Sequence, residues 1–274
     1  MTSVRANLVV DAHVHFHACF SAREFFRSAA ANAATIAATE GWVAGHDACV
    51  FLTDGSTDQG FAGLQTRFGS DADGWRAERT NEATSFRVRA QAGPNIFVLA
   101  GTQIVCAERL EVLALGARLR DLDGHPLTTV VAAVRAAGAI PVLPWGVGKW
   151  IGARGALVRN TLRDSVPGSL ALGDNGGRWS GLGTPREFSM AENRGIVVLP
   201  GTDPLPFARE VRRVCNYGFT LQGEFDADFP TRSVLGLLAA LAQSPVARGQ
   251  RVGLGTFVRN QLALRLRGNA SGRF

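Results

Sequence analysis

The chain has 274 residues, 46% of them apolar and 19% charged, with a formal net charge of +6. That length carries one large α/β domain or two small ones; the apolar share supplies a full core, and the charge density is too low for a disordered chain. The longest stretch free of Asp, Glu, Lys and Arg, residues 90–107, is interrupted by Gln91, Pro94, Asn95 and Gln103, which excludes a bilayer helix of about twenty mostly apolar residues.

The N-terminus has Arg5, then Asp11 and three histidines, and lacks the apolar core of a signal peptide. A soluble, cytoplasmic protein without membrane contact is expected. Cys19, Cys49, Cys106 and Cys215 form no CxxC pair, so disulfide frameworks and zinc knuckles give way to reduced, buried thiols. Of the 29 basic residues, 28 are arginine and one, Lys149, is lysine. The arginines are scattered and alternate with apolar positions as on solvated helix faces. Nucleic-acid binding asks for a concentrated patch with interleaved aromatics, and none is expected.

Along the chain a short apolar run, a Gly-rich or polar stretch and a longer amphipathic stretch recur. The runs are 8–10, 48–52, 96–100, 110–115, 140–143, 169–172 and 196–199. They do not alternate, as expected of strands buried on both faces of a parallel sheet. Helices are predicted over 22–38, 128–137, 186–194, 231–242 and 256–266, with Gly41, Gly138 and Gly195 placed as C-terminal caps. Alternating βα units predict an α/β barrel or a doubly wound sheet in one domain spanning 1–274. A polar insertion at 59–91, crowded by Arg67, Asp71, Asp73, Arg76, Glu78 and Arg79, is expected to lie over the barrel mouth.

Polar groups follow most of the runs: Asp11 to His17, then Thr53 to Asp58, Gly101 to Gln103, Pro144 to Trp150, Gly173 to Arg178 and Gly201 to Leu205. They cluster at the C-terminal strand ends, where parallel α/β folds place their sites. In extended backbone His13 and His15 share a face, and His17 joins them if the strand continues. In a closed barrel the first and last strands are neighbours, so His13, His15 and Asp203 are a candidate set of metal ligands. The alternative is that these histidines satisfy backbone groups or bind a phosphate without metal.

The run Val10-Asp11-Ala12-His13-Val14-His15 resembles the first motif of two superfamilies of metal-dependent barrel hydrolases, the polymerase and histidinol phosphatase (PHP) phosphoesterases and the amidohydrolases. The middle of the chain is similar to PHP. Residues 45–54, ending in Thr53-Asp54, resemble its Thr-Asp-His motif; residues 99–104, followed by 110–116, resemble its Gly-x-Glu motif and the strand after it. Gly201-Thr202-Asp203-Pro204-Leu205 occupies the place of its final Gly-Ser-Asp-x-His. The resemblance runs from about Val9 to Phe207. It implies a distorted (β/α)7 TIM-like barrel and a metal-dependent phosphoesterase.

The chain departs from that pattern where Gly55, Gln103, Trp145 and Leu205 stand at family ligand positions. Gln is a weak neutral ligand and does not bridge two cations as a carboxylate does. One divalent ion (zinc, manganese or iron) on His13, His15 and Asp203 is therefore expected in place of three. Lys149 lies in a Gly-rich turn between Trp145 and Trp150, a candidate anion site. Lys149, Arg154 and Arg178 are expected to clamp a small anionic, phosphorylated substrate, with Trp145 and Gln103 beside it. Asp54, Asp174 and Lys149 are the candidate catalytic groups, the two carboxylates as general bases or partners of a metal-bound His. Asp54 could equally cap its turn, and the tryptophans could pack in the core. Two other readings stand beside the phosphoesterase: a mononuclear amidohydrolase-like enzyme, and a degenerate barrel that binds an anion or partner without catalysis.

Overall fold

The computed structural model describes residues 3–42, 45–67, 74–90 and 93–271. In chain order its first half comprises β1 (Val4–Val14), α1 (Ala22–Thr39), β2 (His46–Asp54), α2 (Gly60–Arg67), β3 (Trp75–Arg79), β4 (Ser85–Ala90), β5 (Ile96–Val105) and β6 (Glu111–Leu115). Then follow α3 (Leu127–Ala136), β7 (Ile140–Pro144), α4 (Gly152–Asp164), β8 (Ala171–Asn175), α5 (Arg186–Glu192) and β9 (Val198–Gly201). A 3-10 helix (Ala208–Arg213) leads into β10 (Tyr217–Phe225), α6 (Pro230–Ala239), β11 (Arg248–Gly249) and α7 (Leu254–Ser271). No helix among the described residues is long and apolar enough to cross a membrane.

The main path of the sheet is β11-β10-β1-β2-β5-β6-β7-β8-β9. Two parallel blocks, β1-β2-β5 and β7-β8-β9, are joined by the antiparallel steps β5-β6 and β6-β7, and β10 runs antiparallel to β1. The run 110–115 is therefore not the next parallel strand that the recurring unit predicted. Residues 106–110 alone separate β5 from β6, whereas a parallel return needs a crossover of roughly a dozen residues or more. Consequently Gln103 sits within β5, not after it.

Alternation along the strands divides the core into an inner and an outer face. Leu8, Val10, Cys49, Phe51, Phe97, Leu99, Leu113, Leu115, Val142 and Leu199 belong to one inner cluster, which Val234 and Leu238 of α6 join. Their neighbours Val9, Val50, Leu52 and Val98 face outward onto α1, whose Phe25, Phe26, Ala29, Ala33 and Ile36 follow helical spacing. Leu143, Leu172 and Val198 face α3, α4 and α5. One inner cluster fed from both blocks is the signature of a curled, half-barrel sheet in a mixed α/β fold. Among the described residues no ladder joins β9 to β1. They meet instead through single bonds: Asp203 N donates to His13 O (2.7 Å), and Thr202 N donates to Asp11 Oδ1 (2.8 Å).

Within the 59–91 insertion β3 and β4 extend the sheet, while α2 sits beside the C-terminal end of β2. β4 pairs antiparallel with Ile96–Leu99, the end of β5 far from Gln103, and Phe61, Leu64, Phe86 and Val88 are buried in the outer core. Asp71 and Asp73 lie outside the described residues.

Candidate metal centre

β1 ends in a register shift against β2 between Asp11 and Val14. Such an irregularity re-aims side chains at a strand end, and here it spans His13 and precedes His15. The Nε2 atoms of His13 and His15 approach to 3.0 Å. Asp203 Oδ1 is 3.7 Å from the first and 3.5 Å from the second, and Gln103 Oε1 is 3.2 Å from His13 Nε2. Ligand atoms about 2.0–2.2 Å from a common ion stand roughly 3.0–3.6 Å apart, so the cluster has the spacing of a coordination shell. Two imidazoles, a carboxylate and a neighbouring amide oxygen suit a divalent cation of borderline softness. His13, His15 and Asp203 are the candidate metal-holding group among the described residues.

Several groups fix this geometry. Asp11, fully buried, accepts hydrogen bonds from His13 N (3.2 Å), Thr202 N, Thr202 Oγ1 and Cys215 N (3.0 Å). One carboxylate thus ties the end of β1 to the chain beyond β9 and to the start of β10. Burial pushes the Asp11 carboxyl up to about 7 despite those donors. Asp203 has φ 47°, a left-handed backbone that Asp tolerates better than most residues. Asn175, at the end of β8, donates Nδ2 to Asp203 Oδ2 and accepts from Gly177 N (2.6 Å). Burial alone would raise the Asp203 carboxyl, but His13, His15, Lys149 and Asn175 together hold it below its ordinary value. Burial, then the neighbouring His13, lowers His15. A neutral imidazole beside an ionised carboxylate is the state a cation requires.

The remaining candidates separate into two groups. Gln103, Trp145 and Lys149 stand at the centre or around it. Lys149 pairs with Glu111 Oε1, and a cavity of about 190 Å³ bordering Asp203 includes Trp145, Lys149 and Glu111 in its walls. The other charges are committed elsewhere. Arg178, 3% exposed, sets Nε and Nη2 on the two Asp174 oxygens (both 2.8 Å) and Nη1 on the carbonyls of Leu182 and Gly183. Tyr217 Oη adds a third bond to Asp174, and burial, with Asp174, raises that phenol. This closed triad leaves Asp174 a partner of Arg178 and Arg178 without a free fork. Arg154 donates to Gly148 O (2.9 Å) and braces the lysine turn from the first turn of α4.

Asp54 accepts from Phe61 N (3.0 Å), the cap of α2 and not of its own turn. Burial, then Asp58, raises its carboxyl. His17 stacks against His15 but turns Nε2 to Pro204 O (2.8 Å), because the strand stops at Val14. Trp150 packs in the core, edge-on to Phe188. Sequence reasoning missed Asn175, Glu111 and Tyr217 as site neighbours, and it assigned Asp11 no staple. Only Asp11, apolar on both sides in a buried strand, carried a signal that could have found it.

The chain is similar over its length to the crystal structure of PsfC from Pseudomonas syringae PB-5123, with a TM-score of 0.51 at 12% identity, covering 97% of this chain and 98% of that one. That likeness shows a shared fold. A second solved structure, the novel lesion-specific endonuclease PfuEndoQ from Pyrococcus furiosus, gives a TM-score of 0.49 at 9% identity, covering 87% of this chain and 56% of that one. No family model and no curated protein matches the chain.

Proposed function

We propose that the chain is a metal-dependent hydrolase of the PHP type, built on a distorted seven-stranded barrel plan and acting on a small phosphoester. The observation that carries this reading is the convergence of His13 and His15, at the end of β1, and Asp203, beyond β9, onto one point. His13, His15 and Asp203 would hold a divalent cation, which would supply Lewis acidity and the means to activate water at neutral pH. The protein's own groups do the rest. Asp11 and Asn175 hold the ligands in place, and Gln103 orients His13. Lys149, kept over the cavity by Glu111, offers its charge to the anion as negative charge builds. Asp54, raised by its surroundings, is the group on the β2 side that holds or releases a proton.

A second reading has its own support. Arg178 and Asp174 neutralise each other, and Gln103 contributes no charge, so the centre is poorer in charged groups than a three-ion site requires. A barrel that binds an anion without turnover fits that economy. The amidohydrolase-like reading lacks further imidazoles, since among the described residues no other His joins the cluster.

Metal content by plasma mass spectrometry, on protein purified without chelator or nickel, separates these readings when combined with turnover of a generic aryl phosphate. Near one equivalent of zinc, manganese or iron with measurable turnover is expected, and both vanish in His13→Ala/His15→Ala. Metal without turnover on any phosphoester favours the binding barrel. No metal, even after incubation with excess cation, overturns the hydrolase.

A further inference from the structure

The motif resemblance ends near Phe207, yet the cavity beside Asp203 is completed by the far end of the chain. α7 contributes Gln261 and Leu264 to it, opposite Trp145, Lys149 and Leu205. Residues three apart share a helix face, so one face of α7 serves the cavity. The helix is seated by its neighbour Asn260, which is buried, donates to Glu210 Oε1 (3.1 Å) and accepts from Arg209 Nη2 (2.7 Å). Just before the helix, Val252 N donates to Gly176 O (3.0 Å). The entry to α7 is thus pinned to the loop that follows β8 and Asn175.

We propose that α7 is the wall that selects the substrate, a compact organic phosphoester bound whole within the cavity; the proposal rests on the phosphoester reading above. The anion faces Lys149 and the cation that His13, His15 and Asp203 would hold. An uncharged body no larger than a ring or short chain lies against Trp145, Leu205 and Leu264, and the Gln261 amide meets one polar group on it. Size argues for this class. The cavity's volume of about 190 Å³ lies below the roughly 300 Å³ at which pockets for drug-sized ligands begin. Trp145, Val147, Leu205 and Leu264 supply the apolar lining, and with the Asn175 amide given to Asp203, the Gln261 amide is left for the body, as expected for recognition by shape with a single hydrogen bond.

Two phosphonates with the same head and an uncleavable carbon–phosphorus bond test the wall: methylphosphonate and phenylphosphonate, titrated calorimetrically into the full-length, metal-replete protein. Phenylphosphonate is expected to bind at least about tenfold tighter, the scale of apolar discrimination in a pocket. Leu264→Trp, which fills the cavity, should erase that advantage and leave methylphosphonate unchanged. Leu264→Ala, which enlarges it, should shift preference toward naphthylphosphonate and serves if the Trp variant melts early. Gln261→Ala should abolish any gain of 4-hydroxyphenylphosphonate over phenylphosphonate. Equal binding of the methyl and phenyl ligands, or a preference indifferent to position 264, overturns the wall and leaves the phosphoester reading standing. Failure of both heads to bind overturns the two together.

Discussion

Arg178 shows how far a residue's chemistry depends on what it meets. A guanidinium in a Gly-rich turn at a strand end has the planar fork that suits a phosphate. In the fold that fork is closed on Asp174, with side-chain exposures of 4% and 10%, and Tyr217 completes the triad from β10. Its work is to join β8, its following turn and β10. Breaking a buried pair by removing one partner costs about 3–5 kcal/mol. Arg178→Met is therefore expected to lower unfolding stability by about that amount in a denaturant titration, with metal content near that of the parent. A substrate clamp would give the opposite pattern, unchanged stability with lost anion affinity. Asp11→Asn makes the complementary case. The amide presents N–H groups to donors on His13, Thr202 and Cys215, and unsatisfied buried donors cost roughly 1–3 kcal/mol each. Lower stability and reduced metal retention together are expected, the second because His13 and the Asp203 loop lose their common anchor.

At the scale of elements the decisive contact is the approach of β9 to β1. A Cβ on Gly201 would stand 2.6 Å from both the backbone N and the Cβ of His13, closer than real atoms come. Gly201→Ala must push β9 away from β1 and separate His13 from Asp203 without altering a ligand. Metal stoichiometry and melting temperature are both expected to fall. Gly236→Ala is the control, because nothing lies within 4 Å of its Cβ position in α6; helix propensity there favours Ala by up to about 1 kcal/mol. Retained stoichiometry in Gly201→Ala would mean that the seam tolerates widening. The elements themselves were unevenly legible. α1, α3 and α5 were readable because helical spacing and Gly caps agree, Gly41, Gly138 and Gly195 carrying positive φ, and α6 and α7 from spacing without such caps. α4 was hidden by Gly152, Gly155 and its arginines. β10, where Thr220, Gln222 and Glu224 alternate with apolar residues, carried the period of a half-buried strand and escaped a reading that takes continuous apolar runs alone as strands. His13, His15 and Asp203 were legible since sheet curvature brings first and last strands together. The Asp174 triad and the α7 wall were not, because Tyr217, Gln261 and Leu264 arrive from elements whose docking no local pattern encodes.

Across the whole molecule the curl of the sheet brings β9 against β1, and among the described residues the two are joined by the backbone bond from Asp203 N, the Asp11 staple and the His/Asp cluster. Since β1 supplies or leads into two of the ligands and the chain beyond β9 supplies the third, a cation held among them ties the two parallel blocks across the gap that no ladder spans. Anything that binds the folded chain and not the unfolded one stabilises it by RT ln(1 + [L]/Kd), about 2.7 kcal/mol at a hundredfold excess over Kd. For a chain of this size each kcal/mol moves the melting temperature by roughly 2–4 °C. Stripped protein is therefore expected to gain several degrees on adding zinc or manganese, and His15→Ala to gain almost nothing. Hydrogen exchange locates the effect: the amides of Thr202 and Asp203, which bond Asp11 and His13 across the seam, should gain protection more than those of the β3–β4 hairpin, which pairs with β5 away from the seam. An equal thermal gain in His15→Ala, or protection spread evenly over the sheet, would place the cation elsewhere and leave the seam to its hydrogen bonds.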